Sequence, residues 1–227
     1  MKIIELKNLS KTFNPETLPV HAVRNVSLSI VQGEFTAIVG ASGSGKTTLL
    51  NLIGGIDFPS DGEVWIDEQL TNDFSESAIT KFRRDHIGFV FQNFNLLPVL
   101  TAKENVEFIM EMQKVNPAER EKRAVELLEA VGLKDKINVR PGKLSGGQQQ
   151  RVAVARALAH KPKFVIADEP TASLDSKSTA DLLNIMKDLN KKEGITFLFS
   201  THDQRVVDQA RRIIEFEDGQ IKSDITR

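Results

Sequence analysis

Short runs of apolar residues, each followed by glycine or by polar residues, recur along the chain. Runs of this length, apolar at successive positions, are typical of strands that a parallel sheet buries on both faces. The sequence therefore predicts buried strands at residues 35–39, 87–91, 164–167 and 195–199.

Between these runs the hydrophobic residues take the spacing of amphipathic helices. In residues 177–192 the apolar side chains fall on one helical face, and Gly194 is suited to end the helix. Further helices are predicted from Thr47 onward, within residues 78–84 and 101–133, and over about 145–160.

Strands bounded by turn residues are predicted in the first 70 residues and at the C-terminus of the chain. Residues 2–9, 27–31 and 61–70 suggest strands bounded by turn residues, and the C-terminal segment suggests a hairpin that turns at Asp218 and Gly219. We therefore expect an α/β fold with a mostly parallel sheet, an N-terminal antiparallel β part and an inserted helical lobe.

Length and composition are those of an ordinary globular chain. The 227 residues are 40% hydrophobic and 27% charged, which excludes a disordered chain and permits a substantial core. We predict a single domain, with residues 1–94 and 158–227 as its core and residues 95–157 as the helical lobe. No apolar run approaches the ~18 residues of a membrane span, and Glu5 and Lys7 argue against a secretory signal.

Charge and residue types narrow the possible chemistry. Lys and Arg number 30 against 31 Asp and Glu, for a net charge of -1, so we expect no direct nucleic-acid partner. The absence of cysteine excludes disulfides, thiolate catalysis and cysteine-ligated metals. The 4 histidines are too dispersed along the chain for a zinc cluster.

A glycine-rich segment connects the first buried strand to a helix. Residues 40–47 read GASGSGKT, the pattern G-x-x-x-x-G-K-[ST] of a phosphate-binding loop. Glycines let backbone N–H groups curl around phosphate oxygens, and the helix N-terminus adds its positive dipole end. Lys46 is expected to reach the β- and γ-phosphates and Thr47 to ligate Mg²⁺. A chance glycine-rich turn is the alternative, and the motif alone does not separate an ATPase from a GTPase or a kinase.

Two carboxylates follow the apolar run at residues 164–167. Asp168 and Glu169 would lie at the carboxyl end of a parallel strand, where α/β folds bind ligands. We expect Asp168 to hold Mg²⁺, directly or through water, and Glu169 to polarise an attacking water. Taken without the phosphate loop, a solvated turn explains the pair equally well.

A second glycine-containing segment opens another helix. Residues 144–148 read LSGGQ, so Ser145, Gly146 and Gly147 would form a second anion-binding helix N-terminus. A loop that simply caps the helix is the alternative.

Together these motifs resemble those of the ATP-binding cassette family, the ATPase subunits of ABC transporters. GASGSGKT is similar to the family's phosphate loop, LSGGQ to its signature, and FVIADEP to its magnesium and catalytic-base strand. Gln92 resembles the glutamine loop, Asp175 in SLD the aspartate loop, and His202 in STHD the switch histidine. The resemblance extends over essentially the whole chain, in the family's order, and implies a P-loop NTPase core.

The resemblance implies an ATP sandwich between two copies of the chain. Each nucleotide would lie between the phosphate loop of one copy and the signature of the other, with Glu169 as general base and His202 at the γ-phosphate. The implied catalytic residues are Glu169, His202 and Gln92, and the implied Mg²⁺ ligands are Thr47, Gln92 and Asp168. The implied ATP-binding residues are Phe13, Gly40, Ala41, Ser42, Gly43, Ser44, Gly45, Lys46, Thr47, Thr48, Ser145, Gly146, Gly147, Gln148 and Asp175.

Some of these assignments have simpler alternatives. Phe13 falls where the family usually places an aromatic ring under adenine, and a core position is its alternative. Gln92 could be a generic surface glutamine. Asp175 is implied to link the two ATP sites across the dimer interface.

The resemblance also implies a membrane partner. Residues 92–98, from Gln92 to Pro98, would receive an integral membrane transporter subunit, and ordinary lobe packing is the alternative. The chain would then act as a peripheral protein on the cytoplasmic face of the cell membrane. The segments FNLLPVLTAKENV and LNLIGGIDFPSDGEV resemble the lipoprotein-release, macrolide-export and peptide-efflux subgroup. An amino-acid importer ATPase and a soluble non-transport cassette ATPase are the alternatives.

Overall fold

Two β-sheets and the helices that cover them make up the fold. The computed structural model describes residues 1–227. In chain order the strands are β1 (Lys2–Phe13), β2 (Val20–Val31), β3 (Phe35–Val39), β4 (Asp61–Ile66), β5 (Gln69–Leu70), β6 (Ile87–Val90), β7 (Phe164–Asp168), β8 (Thr196–Thr201), β9 (Arg212–Glu217) and β10 (Gln220–Thr226). The helices are α1 (Lys46–Ile53), α2 (Glu76–His86), α3 (Ala102–Met112), α4 (Pro117–Ala130), α5 (Gly146–Leu158), α6 (Ser176–Glu193) and α7 (Gln204–Gln209).

The predicted fold class is confirmed by the sheet topology. The 6-stranded sheet has the order β10-β9-β3-β8-β7-β6, and all of its neighbours are parallel except the β9–β10 hairpin. The 4-stranded sheet is antiparallel, in the order β2-β1-β4-β5. Strands β1 and β2 are longer than the sequence pattern indicated, and the short helix α7 was not predicted.

The central strands are apolar at successive positions because both faces of the parallel sheet are covered. In β7, Phe164 and Ile166 face the layer that contains α1 and the antiparallel sheet. Val165 and Ala167 face the opposite layer, which contains α3 to α6. The period-2 geometry of a strand thus divides one apolar run between two hydrophobic clusters.

Helices α3, α4 and α5 form a lobe on the face of the sheet to which Val165 and Ala167 point. Thr101 begins α3 with a capping box that uses Glu104, and Pro117 opens α4. Buried residues of the lobe and of the sheet belong to one cluster, so the lobe shares its core with the sheet. None of the helices is both long enough and apolar enough to cross a membrane.

Candidate active site

A cleft of about 900 Å³ opens where several strands end. It is lined by residues that follow the carboxyl ends of parallel strands, as is usual for ligand sites in α/β folds. The sequence-predicted residues among its lining are Phe13, Ser42, Gly43, Ser44, Gly45, Lys46, Thr47, Thr48, Gln92, Glu169 and His202.

The glycines of the phosphate loop permit close backbone packing. A Cβ on Gly40 would lie 2.0 Å from the carbonyl oxygen of Phe216, and one on Gly45 would lie 2.1 Å from that of Ala22. Gly45 also has a φ of 102°, which favours glycine. The loop is therefore held tightly against its own fold at these two positions.

Lys46 fixes the centre of this loop. Its Nζ donates hydrogen bonds of 2.8 Å to the carbonyl oxygens of Gly40 and Ala41, and the residue is only 7% exposed. Helix α1 begins at the same residue, and no side chain caps it. The lysine charge and the uncapped helix N-terminus therefore meet where a phosphate chain would bind.

The oxygen donors expected for Mg²⁺ lie beside the loop. The Thr47 hydroxyl donates to Asp168 Oδ1 at 3.1 Å, and Ser200 Oγ also donates to this oxygen. Gln92 is exposed on the turn after β6 and lines the same cleft. No group of three or more His, Cys, Asp or Glu could hold a metal by itself. This donor set suits Mg²⁺, which is usually bound by one or two carboxylates together with substrate phosphates.

Glu169 and His202 form a pair at the mouth of the cleft. His202 Nδ1 lies 2.9 Å from Glu169 Oε1, and the histidine must be the donor because a carboxylate only accepts. The His202 side chain is 68% exposed and that of Glu169 16% exposed. The arrangement directs the second ring nitrogen of His202 away from the carboxylate, where a ligand can reach it.

The backbone of Glu169 is strained. Its φ is 46°, the left-handed region that non-glycine residues seldom adopt. Its N–H donates to both the carbonyl oxygen and Oγ of Ser200 at 3.1 Å, and its carbonyl accepts from the N–H of Ala172 at 3.2 Å. Strain of this kind persists only where the surroundings impose it, and it concentrates at functional sites.

The signature residues lie elsewhere. Ser145 caps α5 through a capping box, in which its Oγ accepts from the N–H of Gln148 and its own N–H donates to Gln148 Oε1 at 2.9 Å. None of Ser145, Gly146, Gly147 and Gln148 lines the cleft. A Cβ on Gly147 would lie 2.7 Å from Ser178 Oγ, so α5 packs closely against the first turn of α6.

Asp175 also lies outside the cleft, at the start of α6. Its carboxylate accepts from the N–H of Ser178 at 2.9 Å and from Ser178 Oγ at 2.8 Å, which makes it the helix N-cap. These hydrogen bonds hold the pKa of Asp175 below its usual value. Its role across a dimer interface stays a prediction.

Phe13 belongs to none of the three hydrophobic clusters, so the core alternative is wrong. The residue is 39% exposed and lines the cleft. Lys11 Nζ stands 4.9 Å from the centre of its ring and is itself held by Asp57 at 2.7 Å. The ring is therefore presented at the cleft as a flat apolar surface.

Sequence reasoning missed several residues of the site. Ser200 donates to the Asp168 carboxylate and accepts from the backbone N–H of Glu169. It could have been found because it lies near the carboxyl end of β8, the strand next to β7. The N–H of Gly219 donates to the carbonyl of Ser44 at 3.0 Å, so the C-terminal hairpin supports the phosphate loop. His21 and Arg24 line the cleft from β2 without a sequence signal of their own.

Known proteins resemble this chain over its whole length. MJ0796, an ABC transporter ATP-binding protein of Methanocaldococcus jannaschii, is 48% identical over 224 residues, which cover 97% of this chain and 95% of that protein. The macrolide export ATP-binding/permease protein MacB 2 of Yersinia pestis is 44% identical over 225 residues. That match covers 99% of this chain and 33% of MacB 2, so the chain spans a third of that relative.

Solved structures agree with these sequence matches. The dimeric structure of MJ0796 in a post-hydrolysis state bound to ADP and Pi has a TM-score of 0.90 and 46% identity, and covers 99% of this chain and 98% of that chain. The family model described as ABC transporter matches residues 23–172. The family match, the sequence identities and the geometry of the cleft agree. The chain therefore belongs to the ABC transporter family and is an ATPase subunit of that family.

Proposed function

We propose that two copies of this chain bind and hydrolyse ATP at shared sites, each formed by the cleft of one copy and the signature of the other. One observation carries the proposal. The phosphate loop, Glu169 and His202 line one cleft, and Asp168 accepts from Thr47 beside it. The capped N-terminus of α5 at Ser145 is exposed outside this cleft. A second copy could bring such an end to the cleft, and the dimeric MJ0796 structures support this arrangement.

Each group in the cleft has a chemical task in this proposal. Lys46 and the N-terminus of α1 bind the β- and γ-phosphates, and Phe13 stacks on the base. Glu169 accepts the proton of the attacking water, and His202 orients that water at the γ-phosphate. Thr47, Asp168 and Gln92 would hold Mg²⁺, which offsets phosphate charge when bound.

We also propose that residues 92–98 form the contact with an integral membrane transporter subunit. Leu97 is 38% exposed and Val99 beyond it 72% exposed, while Phe108 and Met112 are exposed on α3. Exposed apolar side chains on this lobe offer a surface that a segment of a partner protein can cover. The chain would then act on the cytoplasmic face of the membrane, and nucleic acid is not among its proposed partners. In this proposal residues 1–94 and 158–227 form the nucleotide-binding core of the chain, and residues 95–157 form its helical lobe.

The direction of transport is proposed to be export. The named relatives include macrolide export ATP-binding/permease proteins, which supports the lipoprotein, macrolide and peptide subgroup. An amino-acid importer and a soluble cassette ATPase stay the alternatives.

A first experiment tests the shared site. ATP hydrolysis is measured with and without Mg²⁺ over a range of protein concentrations. Specific activity should rise with concentration, since two chains form each site, and should disappear with a chelator. Activity that is independent of concentration in a protein shown to be monomeric during turnover would overturn the sandwich.

A second experiment tests the partner. The tagged chain is recovered from gently solubilised membranes of its source cells, and the bound proteins are identified by mass spectrometry. A partner with few spans and a large extracytoplasmic domain supports export. A many-spanned permease with a binding protein indicates an importer, and recovery only with ribosomes or DNA enzymes overturns the transport assignment.

A further inference from the structure

The side chain of Gln150 contacts the backbone of two loops that enter the active site. It lies in α5, just after the signature residue Gln148, and is 0% exposed. Its Nε2 donates to the carbonyl oxygen of Pro170 at 2.7 Å and to that of Phe91 at 3.3 Å. Pro170 directly follows Glu169, and Phe91 directly precedes Gln92.

The chemistry of these contacts fixes the orientation of the amide. Both partners are carbonyl oxygens, which only accept, so the NH₂ end of Gln150 must face them. The Oε1 end is then buried without a hydrogen-bond partner. A buried acceptor without a partner lowers stability, so packing alone does not favour glutamine at this position.

No other side-chain hydrogen bond from α5 reaches both of these loops. Arg156, at the other end of the helix, donates to the carbonyl of Phe94 at 2.8 Å and to that of Asn95. It therefore holds the glutamine loop but not the loop of Glu169. Gln149 donates to the carbonyl of Leu144 at 3.1 Å, within the signature segment itself.

We propose that Gln150 is a positioning residue that couples the signature helix to the two catalytic loops. Through one amide group, a change in the position of α5 reaches the Gln92 turn and the Glu169 loop together. Seating of the signature on the nucleotide of a second copy thereby sets the position of the catalytic base. This inference rests on the shared ATP site proposed above.

The Gln150→Met variant tests the proposal. Methionine has a similar length and flexibility but no N–H donor and no buried carbonyl oxygen. We expect the melting temperature to fall by only about 2–4 °C, because removal of the unpartnered Oε1 offsets part of the loss of the two hydrogen bonds to Pro170 and Phe91. Affinity for a fluorescent ATP analogue should stay within about twofold, whereas kcat should fall about 10- to 100-fold from misplacement of the catalytic groups.

Gln113→Met is the matched control. Gln113 also donates its amide to a backbone carbonyl across the boundary of the lobe, that of Arg84 at 3.1 Å, but its contact lies outside the cleft lining. This variant should keep the wild-type kcat. An equal fall of kcat in both variants would overturn the proposal, since any lobe contact would then have the same effect.

The outcomes separate this inference from the proposed function. Wild-type kcat in Gln150→Met overturns the coupling role and leaves the shared ATP site in place. Absence of ATP hydrolysis by the wild-type chain overturns both. Gln150→Leu repeats the test without the methionine side chain, and a collapse of the melting temperature in both variants would mark Gln150 as structural and overturn the proposal.

Discussion

The two glycine-containing helix N-termini of this chain are built in opposite ways. Helix α1 begins without a side-chain cap, and Lys46 is buried beneath its loop. Helix α5 begins with a complete capping box from Ser145 and Gln148, and Ser145 is exposed. The first N-terminus is shaped to bind an anion within its own chain, whereas the second satisfies two of its own N–H groups through the capping box and faces outward.

This difference explains why one chain contains only half of the proposed site. The loop before α1 is held by backbone of distant segments, at Ala22 and Phe216. The start of α5 is packed against the first turn of α6 at Ser178 and lies beside the loop residues Phe94 and Ser173. In the proposed site the cleft of one copy is completed by the exposed, capped N-terminus of α5 from a second copy.

The largest expected effect concerns the base in the cleft. Glu169→Gln keeps the size of the side chain but removes its ability to take a proton, so kcat should fall on the order of 10²- to 10⁴-fold. ATP binding should persist, because Lys46 and the helix end are untouched. Phosphate release and fluorescent-ATP titration measure the two properties. Glu217→Gln, on the exposed face of β9, is the control, and turnover within a few-fold of wild type would reject Glu169 as the base.

The next effect concerns the cleft's affinity for phosphate. Lys46→Ala removes the buried charge, and because hydrogen bonds to charged groups are strong, ATP affinity should fall on the order of 100-fold. Lys177→Ala removes an exposed charge from the first turn of α6 and should leave affinity unchanged. An unchanged ATP titration for Lys46→Ala would contradict the assigned role of the loop.

A third variant breaks the other half of the comparison. Ser145→Arg places a bulky charge at the signature, so ATPase activity should fall about tenfold or more while ATP binding by the single chain persists. Asn116→Arg removes a similar N-cap from α4 in the same lobe and controls for the lost cap, which costs about 1 kcal/mol. Normal activity with normal concentration dependence in Ser145→Arg would count against the sandwich.

Low pH should lower the stability of the fold through His160, which lies two residues after the end of α5. Burial lowers the pKa of His160 from 6.5 to about 4. As pH falls below 6.5, His160 takes up a proton in the unfolded chain before it does so in the folded chain. The free energy of unfolding should therefore be highest above pH 6.5 and should decrease by about 3 kcal/mol as the pH falls to 4. Urea unfolding at neutral and acidic pH should show a weaker pH dependence in His160→Leu. Equal dependence in both proteins would contradict the assignment.

The smallest expected effect is on stability, in a turn that belongs neither to the phosphate loop nor to the start of α5. The turn between β4 and β5 has φ values of 48° at Asp67 and 64° at Glu68, although neither residue is glycine. Glu68→Gly should stabilise the fold by about 1 kcal/mol and raise Tm by about 2–4 °C, with unchanged kcat. Asp67→Gly is the comparison, because it also breaks the 3.0 Å ion pair with Lys163 and should gain less. Altered kcat in Glu68→Gly would show that this turn affects the active site.

Much of the fold was predictable because its signals are local. The apolar run before Asp168 indicated a strand buried on both faces, and Gly194 marked the end of α6, as the structure confirms. The phosphate loop was equally readable, since its glycines, Lys46 and Thr47 are contiguous. The exposure of Phe13 was not, because an aromatic residue suits a core as well as a cleft.

The buried strands, the end of α6 and the glycine loop were readable from the sequence, because each of them depends on residues within a few positions of one another. The folded chain alone shows that Ser200 donates to Asp168, that Gly219 donates to Ser44, and that Gln150 contacts two loops. These partners are far apart in the chain, and they meet because the strand order β10-β9-β3-β8-β7-β6 brings the ends of nonconsecutive strands together. Local propensity carries no information about that order, which depends on how the two hydrophobic clusters pack on opposite faces of one sheet.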